Sequence, residues 1–162
     1  MTKNLGGYPK QSAVNALLTD AEGQTYDFHV SNHSGVSSSI FDFQDRNKLW
    51  PDIVFTGTIQ LRSTTLTAVL EKLGPSASKF DALVLDVQGA ELLVLKGAGA
   101  FLDKVRYVKL EASDFEAYRG ACTLEAVSAA LAERGFLVRR KDRFAEKEGV
   151  GAYYDVLYER HA

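Results

Sequence analysis

The amino-acid sequence predicts an α/β fold, chiefly from one strand–helix–strand pattern. The unbroken apolar run "ALVL", residues 82–85, is typical of a strand covered on both faces. A helical repeat follows Gly89, and the run "VRYVKLE", residues 105–111, then predicts a second strand. Such a unit makes two parallel strands with a helical crossover. The length of 162 residues fits one domain with a single core.

The part before this unit predicts two paired strands, a loop and a third strand. Residues 12–18 form a short apolar strand, and residues 25–30 alternate polar and apolar side chains after a polar turn that contains Gly23. We expect these two strands to pair with each other. Residues 31–41 form a serine-rich polar loop, and residues 52–61 contain the next strand.

Apolar residues at helical spacing predict the helices. Residues 63–74 carry such a repeat before a Gly-Pro stop, and residues 123–136 carry the clearest one. In the second, Thr123 is the expected N-cap and Gly135 closes the helix. Residues 136–140 and 153–159 then finish the chain as two strands, with a mobile polar loop expected between them.

Composition excludes several classes of protein. A net charge of -2 and a pI near 5.9 argue against a general nucleic-acid binder, and the basic run at residues 139–141 is either a solvated strand end or a local binding patch. The single cysteine, Cys122, excludes an internal disulfide. The sequence has no run of about 20 apolar residues and no signal peptide, so we expect a cytoplasmic protein that binds neither membrane nor nucleic acid.

An acidic residue at the end of the buried strand is the first candidate for chemistry. Asp86 follows "ALVL" directly, and ligands of open α/β sheets bind at the carboxyl ends of the strands. Asp86 is therefore either part of a functional site or a cap of the helix that follows.

Five stretches resemble the FkbM family of S-adenosylmethionine-dependent methyltransferases. They are "NALLTDAEG", "SNHSGVSSSI", "TTLTAVL" and, most specifically, "DALVLDVQGAELLVLKGA" together with "VRYVKLEAS". The resemblance runs from about residue 12 to the end of the chain. It implies a Rossmann-like class I methyltransferase sheet, mostly parallel, which ends in an antiparallel hairpin.

The resemblance also implies a cofactor site that this sequence supplies only in part. The family holds S-adenosylmethionine with a glycine-rich turn after its first strand and an acid after its second. Neither element is present here, because no strand precedes Gly6 and Gly7. We therefore expect residues 1–11 to be a flexible segment and residues 12–162 to be a methyltransferase domain without its first strands. Such a chain should bind S-adenosylmethionine weakly or not at all.

By the same resemblance, candidate site residues can be named. Asp86 and Glu111 would end neighbouring parallel strands, about 5 Å apart at the backbone, as catalytic carboxylates. Two carboxylates can hold a divalent metal, orient a sugar hydroxyl or share a proton. Eight candidates fall into three groups: catalytic Asp86 and Glu111; cofactor-binding Asn15, Ser38 and Ser39; substrate-binding His33, Gln88 and Glu91. Glu91 has the alternative role of stabilising the helix N-terminus, and no residue is assigned as a metal ligand.

Two functions follow as hypotheses. The first is transfer of a methyl group to an oxygen of a sugar or another small hydroxylated acceptor. The second is an inactive binding or assembly module, in which an exposed sheet edge forms a homo-oligomer.

Overall fold

Seven strands and four α-helices form the described part of the chain. The computed structural model describes residue 8 and residues 11–74 and 79–161, so the predicted flexible segment 1–11 lies almost wholly outside the described residues. The strands are β1 Leu17–Leu18, β2 Thr25–Ser31, β3 Phe55–Thr64, β4 Ala82–Leu85, β5 Tyr107–Ser113, β6 Phe136–Lys147 and β7 Gly151–Arg160. The α-helices are α1 Arg46–Leu49, α2 Leu66–Leu73, α3 Glu91–Gly97 and α4 Leu124–Ala132. Among the described residues, no helix has both the length and the apolar character that crossing a bilayer requires.

The strands form two sheets, which confirms the α/β class. The first has the order β1-β3-β2 and the second the order β4-β5-β7-β6. The predicted parallel unit is present, because β4 and β5 pair in parallel on either side of α3. The predicted antiparallel hairpin is present as β6 and β7. The described strands do not form the mostly parallel sheet that the resemblance implied. Only β1–β3 and β4–β5 pair in parallel.

The expected pairing of the first two strands was wrong. β1 is two residues long, and it pairs with β3 rather than with β2. β3 lies between β1 and β2 in the sheet. It is ten residues long, and its other edge pairs with β2 from Thr25 onwards. β3 also continues through Ser63 and Thr64, which the sequence pattern placed in the next helix. That helix, α2, begins after Thr65. The Thr65 side chain caps it by accepting a hydrogen bond from the Ala68 amide.

Buried apolar side chains from β4, β5, β7, α3 and α4 form the main core. The N-cap prediction for α4 is confirmed, because the Thr123 hydroxyl accepts from the Ala126 amide. On the buried face of α4, Leu124, Val127 and Leu131 face this core. The core therefore fixes both parallel strands and the helix between them, which are the elements that carry the candidate site.

The loop expected near the end of the chain is mostly strand. β6 runs to Lys147 and β7 starts at Gly151, so only three residues connect them. β6 lies at the edge of its sheet and is exposed along nearly all of its length. An edge strand covered on neither face carries polar side chains on both, which explains its loop-like composition.

Candidate active site

Asp86 and Glu111 are neighbours, as the sequence predicts. Leu85 of β4 is paired with Leu110 of β5, and the residue that follows each of them is an acid, Asp86 and Glu111 respectively. Asp86 is exposed and follows the last residue of β4, whereas Glu111 is half-buried. The expectation that Glu111 ends its strand was wrong, because β5 continues to Ser113 through pairing with β7. The backbone of Glu111 is therefore held by pairing with Asp155 of β7.

Asp86 does not cap the following helix. The N-cap of α3 is Ala90, and no side chain provides a cap hydrogen bond there. The Asp86 carboxylate instead accepts a 2.5 Å hydrogen bond from the Gln88 side-chain amide. The cap alternative is therefore excluded, and the Asp86 carboxylate stays at the surface of the site.

The turn after β4 is a tight connection centred on Gln88 and Gly89. Both residues have positive φ, 50° and 100°, and a Cβ at Gly89 would lie 2.8 Å from that of Ala121. Gln88 is held at both ends: its main-chain oxygen accepts from Ser39 Oγ at 2.7 Å, and its side-chain oxygen accepts from Tyr118 Oη at 2.6 Å. Gln88 therefore links the loop after β2 to the carboxylate pair.

Glu91 lies buried beneath this turn, only 3% exposed. Its carboxylate accepts from the main-chain amides of Val87 and Gly89, at 3.1 and 3.0 Å. Burial raises the pKa of Glu91, although these two hydrogen bonds oppose the shift. The Cys122 thiol lies 3.8 Å away, and burial raises its pKa to about 11, which makes it a poor nucleophile. Glu91 thus orders the turn from below, which agrees with its alternative role at the helix N-terminus.

Glu111 has the electrostatic properties of a base that works near neutral pH. Its pKa is raised to about 7, first by burial and then by the negative charges of Asp86, Glu91 and Asp155. Interaction with the Gln88 side chain opposes part of this rise. A carboxyl group with such a pKa accepts a proton well at physiological pH.

A small cavity of about 20 Å³, lined in part by polar residues, lies beside Glu111. Gln88, Glu91, Tyr118 and Tyr153 also line it. A volume of this size accommodates about one water molecule. The site therefore has an outer side, where Asp86 is exposed, and an inner polar chamber.

Arg46 is a buried cation next to this chamber, and the sequence patterns did not single it out. It is 5% exposed, and its guanidinium carbon lies 5.1, 5.0 and 5.9 Å from the ring centres of Phe43, Trp50 and Tyr118. One terminal nitrogen donates to Ser37 Oγ. The one available signal was an arginine within the aromatic-rich stretch "FDFQDRNKLW", residues 41–50. The structure shows that Arg46 fixes the loop after β2 against Tyr118.

The predicted cofactor-binding and remaining substrate-binding residues lie apart from the carboxylate pair or are engaged internally. Asn15 and His33 are exposed, Asn15 before β1 and His33 in the 3₁₀ turn after β2. The Ser38 hydroxyl accepts from the Ser31 amide, and buried Ser39 accepts from the Phe41 amide as well as donating to Gln88. Their roles toward a ligand stay predictions. Across residues 11–74 and 79–161, no group of three or more His, Cys, Asp or Glu side chains is placed to hold a metal ion.

These features define an α/β domain whose polar site lies at the carboxyl end of β4, beside Glu111 of the parallel strand β5; the carboxyl ends of parallel strands are where such folds bind ligands. The sequence model described as the methyltransferase FkbM domain matches residues 4–138. The chain therefore belongs to the FkbM methyltransferase domain family.

The chain is also similar to a curated protein. The 2-O-methyltransferase NoeI of Sinorhizobium fredii (strain NBRC 101917 / NGR234) is 29% identical over 131 residues, which are 77% of this chain and 53% of that protein. The chain thus spans about half the length of the curated relative it matches. No solved structure gives a significant match to the chain.

The described residues do not by themselves fit the cofactor that the family uses, S-adenosylmethionine. The hydroxyls of Ser38 and Ser39 are engaged with groups of the chain itself. In the described part of the chain, β4 pairs with β5 alone, and Val84 is 70% exposed on it. The described site is therefore a carboxylate and hydroxyl site beside that strand, not an enclosed cofactor pocket.

Proposed function

We propose that this chain supplies the acceptor-binding and proton-accepting part of an S-adenosylmethionine-dependent O-methyltransferase. The observation that carries the proposal is the half-buried Glu111 of β5, with a pKa of about 7, next to the exposed Asp86 that follows β4. The family membership supports the reaction class, and the printed activity of NoeI, 2-O-methylation, supports oxygen as the atom that is methylated. The parallel β4–α3–β5 unit would form one half of a Rossmann-like sheet.

The chain's own residues perform the proton step in this proposal. S-adenosylmethionine supplies the activated methyl group when it is bound. Glu111 accepts the proton of the acceptor hydroxyl, which leaves an oxygen able to attack carbon. Asp86 hydrogen-bonds Gln88, and its negative charge contributes to the high pKa that makes Glu111 a competent base. A sugar or other polyhydroxylated acceptor suits this site because exposed carboxylates accept hydrogen bonds from neighbouring hydroxyls.

The proposal is tested with S-adenosylmethionine that carries a ¹³C-labelled methyl group. Because the described residues do not by themselves fit the cofactor, the assay uses a full-length, active relative that carries the same carboxylate pair. It is incubated with the labelled cofactor and a panel of saccharides, and the products are examined by NMR. We expect a new O-methyl signal that disappears when the accepting hydroxyl is replaced by hydrogen in a deoxy analogue. Labelled methyl found on nitrogen or carbon would contradict the assignment to oxygen.

A second candidate is an inactive assembly module, and the edge of β4, with which no other described strand pairs, favours it. Val84 of β4 is 70% exposed, which is unusual for a strand in a parallel sheet, and Phe80, just before β4, is 48% exposed. A free apolar edge promotes strand pairing between copies of a chain.

The two candidates differ in cofactor binding and self-association. If the 162-residue chain is an assembly module, it should sediment as a dimer and give no heat on titration with S-adenosylmethionine. Replacing Val84 with Lys should then shift the dimer toward monomer, because a charge at an edge opposes pairing. A micromolar dissociation constant, about -8 kcal/mol, would rule this candidate out.

A further inference from the structure

Tyr153 presents a buried hydroxyl that has no hydrogen-bond partner among the residues that the structure describes. The residue is 5% exposed, and it lines the small chamber beside Glu111. A buried hydroxyl without a partner loses the hydrogen bonds that it makes in water, which is unfavourable. Such groups in native structures are commonly satisfied by an internal water molecule.

The pairing of β5 with β7 places Tyr153 and Glu111 on the same side of the sheet. Glu111 is opposite Asp155, and Ser113 is opposite Tyr153. Residues two apart along a strand share a face, so Glu111 and Tyr153 are diagonal neighbours, a separation that long side chains can span. Both residues line the chamber of about 20 Å³.

The Tyr153 ring is held in one position by its neighbours. The rings of Trp50 and Phe115 contact it edge-on, with centres 5.1 and 5.3 Å away. The neighbouring hydroxyl of Tyr118 is already engaged with the Gln88 side chain. Tyr153 is therefore the hydroxyl of the chamber that can still donate a hydrogen bond.

We infer that one internal water molecule occupies this chamber, accepts a hydrogen bond from Tyr153 Oη and donates one to the Glu111 carboxylate. The chamber has the volume of one water molecule and polar groups on more than one side, which are the two requirements for an ordered internal water. The water holds the inner oxygen of Glu111, so the outer oxygen stays directed toward Asp86 and the acceptor. Tyr153 is thus a positioning residue, and its role in catalysis rests on the proposed function of Glu111.

The hydrogen bond also favours the charged form of Glu111. The groups that surround this carboxyl group are Asp86 at the end of β4, Glu91 on α3 and Asp155 on β7, all of which raise its pKa. Burial raises the pKa of the Tyr118 and Tyr153 hydroxyls, and the positive charge of Arg46 on α1 opposes part of that rise. Loss of the water-mediated bond should therefore raise the pKa of Glu111 further, because a donor to the carboxylate is lost.

The test is an NMR titration of the Glu111 side-chain carbon in the wild-type chain and in Tyr153→Phe. Phenylalanine keeps the ring packing and removes only the hydroxyl. We expect the titration midpoint to move upward by about 1 pH unit, a tenfold change in proton affinity. The matched control is Tyr158→Phe on the same strand, whose hydroxyl is 2.7 Å from Ser128 Oγ in the main core, and there the Glu111 midpoint should not move. An unchanged or lower midpoint in Tyr153→Phe would overturn the inference.

A second measurement does not depend on the variant folding. A high-resolution crystal structure of the wild-type chain should show one water molecule within hydrogen-bond distance of both Tyr153 Oη and Glu111. A chamber without that water would overturn the inference. Neither measurement uses methyl transfer, so a negative result here leaves the proposed role of Glu111 standing, and an inactive protein still tests the water.

Discussion

Replacing Glu111 with glutamine is expected to lower methyl transfer by about 100-fold or more, the scale for loss of a general base. Glutamine has nearly the same shape and still fits beside Gln88, but it cannot accept a proton. The wild-type rate should rise with pH through about 7, because the carboxylate form of Glu111 predominates only above its pKa. The Glu111→Gln rate should lack this rise. The measurement is the pH profile of kcat/KM in the active protein.

Asp86→Asn gives an independent check on the same site. The negative charge of Asp86 is the second largest cause of the raised Glu111 pKa, after burial. Its removal should move the rise in rate to lower pH, because Glu111 then stays ionised to a lower pH.

The matched control for both variants is Glu133→Gln, an exposed position next to the end of α4. Its profile should follow the wild type. A Glu111→Gln protein that is folded and keeps both the normal rate and the normal profile would show that another group accepts the proton.

Sequence patterns predicted the centre of the fold well because that part is apolar and local. "ALVL" is β4, and the parallel pairing with β5 follows from the helix between them. Thr123 caps α4 through a contact three residues away. Each of these features depends on residues close in the chain, so a single sequence contains the needed information.

The errors occurred where pairing between distant segments decided the structure. β6 is an exposed edge strand, so it shows no apolar repeat, and only its pairing with β7 makes it a strand. Glu111 lies inside β5 rather than at its end because β7 pairs as far as Ser113. Sequence spacing alone does not contain the register of these pairs.

The same limit applies to the site. The adjacency of Asp86 and Glu111 could be predicted, because parallel neighbours place their carboxyl ends together. The inner chamber could not, since Tyr153 lines it from an antiparallel strand, and Arg46, at the start of α1, packs over Tyr118, which also lines it. Buried polar side chains in such positions look like ordinary surface or core residues in a sequence.

Gly97→Ala is expected to destabilise the chain by about 3 kcal/mol, the upper part of the range for overpacking a core. Gly97 is the last residue of α3 and is buried, and an added Cβ would collide with the main-chain carbonyl of Thr19. A helical position ordinarily gains about 1 kcal/mol when alanine replaces glycine. The collision involves backbone that other contacts hold in place: Thr19 is fully buried, and the Gly97 carbonyl accepts from Thr67 Oγ1 at 2.9 Å. The steric cost should therefore exceed the gain in helix propensity.

This contact also connects the two sheets on which the site depends. Thr19 follows β1 in the first sheet, and α3 packs on the second sheet beneath the turn that carries Gln88. The backbone of Ser39 pairs with that of His29 in β2, and the Ser39 hydroxyl donates to the main-chain oxygen of Gln88 in that turn. Separation of the sheets would therefore remove one support of Gln88.

Denaturant unfolding measures the loss of stability in Gly97→Ala. The control is Gly57→Ala, because a Cβ at Gly57 meets nothing within 4 Å. If Gly97→Ala instead stabilises the chain by about 1 kcal/mol, α3 does not rest on Thr19 and the two sheets are not held together at this point.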